Sequence, residues 1–261
     1  MTRSFVAAAI ALGIPAMQPD AARVLADMRQ ALGGDAAIAA VQAFSVSGTE
    51  SHNFGGRGSS EDLEWTVALP DSVVRVRRMS TPASGDVMVS GFRGDARILR
   101  LKSDLPHPPD RFASDTPEQR AARDADTVRY LKHDFSRFAI ALIGIPAVDP
   151  LEASYLVQRT VAGRKCDVLQ LRSTDGYTAT LAVDAATHLP VMVNWVGRAE
   201  GLTADPLEWQ LYYEDFRLAD GLNWPHRFVE KTGARVWTTT QLGKFKLNPK
   251  IDPELFDPAR R

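Results

Sequence analysis

The sequence predicts a mainly β fold with α: one large curved antiparallel sheet, with an N-terminal helix and a long inserted helix packing on its concave face. Three observations predict it. Apolar and polar residues alternate with period two over most of the 261-residue chain. Short turn signals separate the alternating segments, and two stretches show a helical period instead. Roughly a dozen twisted strands joined this way curl rather than stay flat. The helices must then cover the apolar side.

The first seventeen residues stand apart. Arg3 precedes an apolar run from Phe5 to Met17, which Gln18-Pro19-Asp20 ends. Residues 1–16 are expected to be a signal peptide cleaved near Ala16, placing the mature protein in a bacterial periplasm or outside the cell. The run is too short for a permanent transmembrane anchor. A single domain is expected over 20–261, carrying a helix at 20–32 and an inserted loop and helix at 102–145.

Ala21, Val24, Leu25, Met28 and Leu32 fall on one helical stripe, and Gly33-Gly34 supply a stop. Asp35 is expected to cap a shorter helical segment through Val41, before Phe44-Ser-Val46 turns to strand alternation. Leu63, Trp65, Val67 and Leu69 share one face of the next strand, and Pro70-Asp71 turns the chain. In Val73–Met79, Val74 and Val76 alternate with Arg75 and Arg77; the arginines, with Arg78, are expected on a solvated face. Two further strands are expected at 86–92 and 96–101. Asn53 to Ser60, rich in glycine, reads as a hairpin tip.

Lys102–Asp115 is proline-rich. A helix start follows: Thr116-Pro117-Glu118-Gln119 combines a cap, a proline at the first helical position, an acid, and Gln three residues after the cap. The helix is expected to reach about Ile143. Ala121, Ala125, Val128, Leu131, Phe135, Phe138 and Leu142 form its apolar stripe. Arg123, Asp126, Arg129, Lys132, His133 and Asp134 are expected on the wet side. Its end, Phe138 to Pro146, is apolar nearly all round and must border a hydrophobic space.

After Pro150 seven more strands are expected between Ser154 and Leu247, joined by turns at Ala162-Gly163, Asp175-Gly176, Asp184–His188, Asp220-Gly221 and Thr232-Gly233. Connections this short make neighbours antiparallel. Tyr177, Ala179, Leu181 and Val183 share a dry face, as do Leu189, Val191, Val193 and Trp195.

Several chemistries are excluded or disfavoured. With 31 basic and 32 acidic residues there is no bulk field for nucleic acid or an anionic membrane. The 44% hydrophobic content supports a core without disulfides or metals, and the lone Cys166 reads as a structural thiol. His52, His107, His133, His188 and His226 show no metal-ligand spacing. No nucleophile elbow, phosphate loop or dinucleotide fingerprint is present. No catalytic residue, metal ligand or cofactor is therefore assigned.

Several motifs resemble the outer-membrane lipoprotein-sorting, or lipoprotein-carrier-like (Lol carrier-like), superfamily. They are the helix end Ala31-Leu32-Gly33-Gly34 with the strand Phe44-Ser-Val-Ser-Gly48, the hairpin Val183-Asp184-Ala-Ala-Thr187-His-Leu189-Pro190, the turn Asp220-Gly221-Leu-Asn-Trp-Pro225, and the terminus Leu247-Asn248-Pro249-Lys250-Ile251-Asp252-Pro253-Glu-Leu-Phe256. The resemblance implies an unclosed antiparallel β-barrel plugged by helices and holding lipid. It carries over no polar cargo-handling residue.

Three functions are weighed. The first is a periplasmic carrier or sensor of a lipid, acyl chain or lipoprotein moiety. Its expected cavity lining is Trp65, Val67, Val89, Leu131, Phe135, Phe138, Leu142, Trp195 and Trp209; its partner is a lipid or lipidated protein. The second is an envelope protein-interaction or regulatory module using the sheet face or edge. The third is a cofactor-free enzyme, which requires two or three of Asp184, Glu214, His226, Arg227 and Glu230 to converge inside one pocket.

Overall fold

The computed structural model describes residues 20–54, 57–79, 86–103, 114–198 and 205–260. The signal-peptide reading, the Gly55-Gly56 tip, His107 and most of the proline-rich loop lie outside them. Asp20 caps α1 (Ala21–Leu32) by accepting from Arg23 N at 2.7 Å. Gly33 then ends α1 at φ 137°, where a Cβ would lie 2.5 Å from the Gly221 carbonyl oxygen. That close approach fixes α1 against the turn at Asp220-Gly221. Asp35 is the first residue of α2 (Asp35–Ala39) rather than its cap, and its carboxylate pairs with Arg29.

Five strands follow: β1 (Ala43–Phe54), β2 (Arg57–Ala68), β3 (Ser72–Met79), β4 (Val87–Arg93) and β5 (Ala96–Lys102). β1 and β2 run further than their sequence suggests, with Asn53 opposite Gly58 inside the expected hairpin tip. α3 (Pro117–Ile143) starts with the full reciprocal capping box between Thr116 and Gln119. Then come β6 (Glu152–Val161), β7 (Arg164–Arg172), β8 (Thr178–Asp184), β9 (Pro190–Gly197), β10 (Leu207–Ala219), β11 (Leu222–Thr232) and β12 (Arg235–Leu247). A 3-10 turn at Pro253–Phe256 ends the described chain's regular structure.

These twelve strands form one antiparallel sheet in the order β5-β4-β3-β2-β1-β12-β11-β10-β9-β8-β7-β6. β5 and β6 are its two edges and do not pair, so the barrel is unclosed. The chain walks outward from β1 to β5, crosses along α3, and returns from β6 to β12. α3 therefore links the two edges, and it packs on β4, β5, β9 and β11.

Both faces of the sheet carry packed apolar side chains. The helix-covered face holds the main core, including Val24, Met28, Phe44, Trp65, Phe92, Phe135, Leu142, Trp195 and Trp224. The other face holds two smaller clusters. One contains Cys166, Val168, Ala182, Val191 and Met192. Val191 was expected beside Val193; a register shift between Ala182 and Val183 sends it here with Met192. The second contains Val74, Ile98 and Phe256, so the C-terminal turn covers the outer face of β3 and β5. Asn248 holds that terminal segment in place: its side chain accepts from Gln42 N and Ala43 N and donates to the Ala40 carbonyl.

Candidate functional site

Pairing registers decide which side chains look at α3. Val46 pairs with Trp65 and Glu50 with Glu61, while Trp65 also pairs with Arg75 and Leu63 with Arg77. Because successive side chains alternate between faces, Glu50, Glu61, Arg75 and Arg77 share the face of Trp65. Arg75 and Arg77, expected in solvent, thus point inward; Val74 and Val76 point outward, under the C-terminal turn. Only Arg78 keeps the expected exposure, at 50% with Glu64 as its partner.

Of the expected lining residues, Trp65, Val67, Phe135, Phe138, Leu142, Trp195 and Trp209 lie in the main core, with Leu131 partly buried against it. Phe138 stacks on Trp65 and on Phe228, each at a ring separation of 4.9 Å. Trp195, Trp209 and Trp237 follow at 6.2 and 5.7 Å. These rings line the space between sheet and helix. Val89 faces the other way by register, paired with Val76, and packs with the Val74 cluster. Beyond the cover of α3 the same inner face continues as Met79, Leu99 and Leu101, which are 45%, 50% and 51% exposed. Met88, paired with both Arg77 and Leu101, lies between them.

Against this apolar lining sits a buried ionic network. The Arg75 guanidinium bonds Glu50, lies 5.3 Å over the Trp65 ring and reaches Asp134 at 4.0 Å. Thr240 donates to the second Glu50 oxygen. Arg77 Nη1 is 3.5 Å from Glu61 and its Nη2 is 3.5 Å from the Met88 sulfur. Arg137, 4% exposed on α3, donates to Tyr177 and Asp134, each at 3.2 Å, and lies 4.3 Å over Trp195. Tyr213 donates to the Arg137 carbonyl at 2.6 Å. Three carboxylates, Glu50, Glu61 and Asp134, thus face three guanidiniums. Glu230 is a fourth acid among them.

The charge states follow from that arrangement. Burial pushes the Glu230 carboxyl up to about 7, with the nearby Asp134 charge adding to it. Burial also disfavours charge on Glu61, but the His52 hydrogen bond and Arg77 outweigh it and hold that carboxylate below its usual range. Arg77 is pushed down by burial and by the Arg75 charge, and its Nε is buried without a hydrogen-bond partner. An orphaned buried donor of this kind costs about 1–3 kcal/mol.

The Glu230 pKa lies above its ordinary 4.5, so the native state holds the proton more tightly and stability falls as pH rises from 4.5 to about 7. Glu230→Gln removes this loss. We expect it to exceed the native protein's stability by roughly 1–3 kcal/mol at pH 8, with the difference shrinking toward pH 5. Urea midpoints at the two pH values check this; parallel profiles for the two proteins would contradict it.

His52 Nε2 lies 3.2 Å from one oxygen of each of Glu50 and Glu61, so three potential metal ligands fall within 4.8 Å of one another. Arg75 and Arg77 approach those same two oxygens. Their positive charge supplies what a cation would, and the network reads as ionic rather than metal-binding.

A second polar cleft of about 280 Å³ lies on the other side of α3, bordered by Asp95, Lys132, His133, Asp149 and Asp175. His133 was expected in solvent. Its ring instead stacks on Tyr177 at 4.1 Å and bonds Asp175 at 3.1 Å, and burial pushes its pKa down despite nearby Asp149 and Asp175. Asp134 likewise turns to Arg137. Of the five residues weighed for an enzyme reading only Glu214 and Arg227 meet, as a pair 39% and 41% exposed. Asp184 caps its own hairpin, Glu214 pairs with Arg227, His226 bonds the Trp224 carbonyl, and Glu230 joins the inner network. Cys166 is fully buried, and burial pushes its thiol up, which makes it inert.

No family model matches the chain, and no curated protein matches it by sequence. Solved structures share its fold. A LolA superfamily protein from Nitrosomonas europaea superposes with a TM-score of 0.55 at 12% identity, over 90% of this chain and 97% of that one. A DUF1329 family protein from Desulfovibrio piger gives 0.54 at 14% identity, over 90% and 94%. An outer membrane lipoprotein-sorting protein domain from Vibrio parahaemolyticus gives 0.52 at 13% identity, over 89% and 94%. The resemblance read in the sequence motifs is thus borne out at the level of the fold, an unclosed barrel with helices on one face.

Proposed function

We propose that this protein is a periplasmic carrier or sensor that holds an acyl chain, lipid or lipoprotein moiety between the sheet and α3. The observation that carries the reading is the inner apolar face that α3 leaves partly uncovered, at Met79, Leu99 and Leu101. Exposed apolar surface continuous with a core, on a fold whose relatives include a lipoprotein-sorting domain, suits a greasy ligand. The rings of Trp65, Phe135 and Phe138 pack together at the centre, so a ligand is placed beside α3. Among the described residues no helix is long and apolar enough to cross a membrane, which fits a carrier that handles lipid without a helical span.

The chain produced with its leader in a bacterial host is expected to co-purify with lipid visible by native mass spectrometry. After delipidation it should take up a fluorescent acyl probe. Absence of both lipid and probe uptake would overturn the reading. A protein-interaction role remains a second reading for one reason: the β6 edge exposes Leu156 and Val157, each 48% accessible, beside a register shift. Unpaired edges recruit partner strands. Capture of a defined envelope protein by the native chain but not by Leu156→Lys would favour it.

A further inference from the structure

Arg77 is the least satisfied cation of the inner network, and it stands at the border of the exposed apolar strip. We propose that the Arg77 guanidinium receives the carboxylate of a single-chain amphiphile whose tail lies along Met79, Met88, Leu99 and Leu101; this rests on the acyl-chain reading above and names its ligand class. Register places Arg77, Met88 and Leu101 in one row across β3, β4 and β5, with Leu99 in the row beside it. Three strands span about 10 Å between the outer two, a width suited to one chain rather than several. Side-chain exposure is 26% at Arg77, so a ligand approaches it from the solvent side, away from its buried Nε.

Contact chemistry selects the head group. Arg77 has only a weak sulfur acceptor, Met88, at 3.5 Å, a carboxylate at 3.5 Å that is long for an N–H···O bond, and an unpartnered Nε. Arg75, on the same face, also has a buried Nε without a partner. A planar fork of N–H donors matches two carboxylate oxygens. Glu50 and Glu61 stand close by and repel a dianionic phosphate more than a monoanion. The strip accepts the apolar tail, and its exposed Met79, Leu99 and Leu101 lose water on binding.

The test compares three probes of equal chain length, dodecanoate, dodecanol and dodecyltrimethylammonium, titrated below micelle formation into the delipidated full chain. Dodecanoate is expected to bind at least tenfold more tightly than dodecanol, and the cation weakest. Arg77→Met should erase that preference while leaving dodecanol binding unchanged. Arg78→Met, on the outer face, should keep it. Leu99→Asp with Leu101→Asp should weaken both dodecanoate and dodecanol. Equal binding of dodecanoate and dodecanol, or a preference that survives Arg77→Met, overturns the Arg77 assignment but leaves the acyl-chain reading standing. Failure of all three probes to bind sinks both. A dimer that the leucine double variant dissolves, with no probe bound, would show a second copy as the strip's occupant and also overturn the proposal.

Discussion

Phe138→Ala is expected to lower stability by about 3–5 kcal/mol, the cost of deleting a large core aromatic. The ring lies between Trp65 and Phe228 at 4.9 Å from each, and it is 7% exposed. Its neighbours come from β2 and β11, on either side of β1 and β12, and from α3 itself. Those strands are held by the sheet ladder and cannot close on the gap, so the cavity term adds to the lost transfer energy. Phe138→Leu should cost clearly less, because much of the volume returns. Urea midpoints at constant slope measure both, and a loss below about 1 kcal/mol for the alanine variant would mean that α3 packs loosely.

The second large effect concerns Arg137. Arg137→Ala should cost about 3–5 kcal/mol, because it removes a buried cation that bonds Tyr177 and Asp134 and leaves a void against Trp195. Asp134 would keep only Arg75, at 4.0 Å, and the Trp195 face would lose the cation 4.3 Å above it. Arg137→Met restores apolar volume and should cost less than alanine, although Asp134 still lacks its partner. Arg137→Lys keeps a charge without the planar fork that meets Tyr177 and Asp134 together, so an intermediate loss is expected. Removal of this cation also takes away an influence that holds the Glu230 carboxyl down, so that group should titrate above about 7 in Arg137→Ala. Thermal midpoints across pH test the pair of effects. Methionine and lysine variants as stable as the native protein, with only alanine lowered, would show that the cation matters only as filler.

These two residues differ in how readable they were. Phe138 sits at a helical spacing of three and four from Phe135 and Leu142, and periodicity alone marks it as core. Arg137 breaks no pattern in sequence, since an arginine beside a stripe normally extends to water. A signal for the network did exist in the strands. Glu50 falls on the parity of Phe44 and Val46, and Glu61 on that of Leu63 and Trp65, which places two acids on an apolar face. Alternation carried that far would have paired them with inward arginines on β3.

Local physics determined a great deal from the chain alone. Alternation, short turns and a reciprocal cap at Thr116 specified the strands, α3 and an antiparallel sheet, because each depends on neighbours within a few residues. Which face of each strand lies inside was decided by tertiary structure. On β3 the pattern equally permits valines or arginines inward, and valine is the apolar choice. The outcome is reversed because Phe256, far along the chain, covers Val74 and Ile98, while Glu50 and Glu61 from β1 and β2 neutralise Arg75 and Arg77. Burial of a charge is set by the partners that the fold brings to it, and their positions are not written in the local pattern.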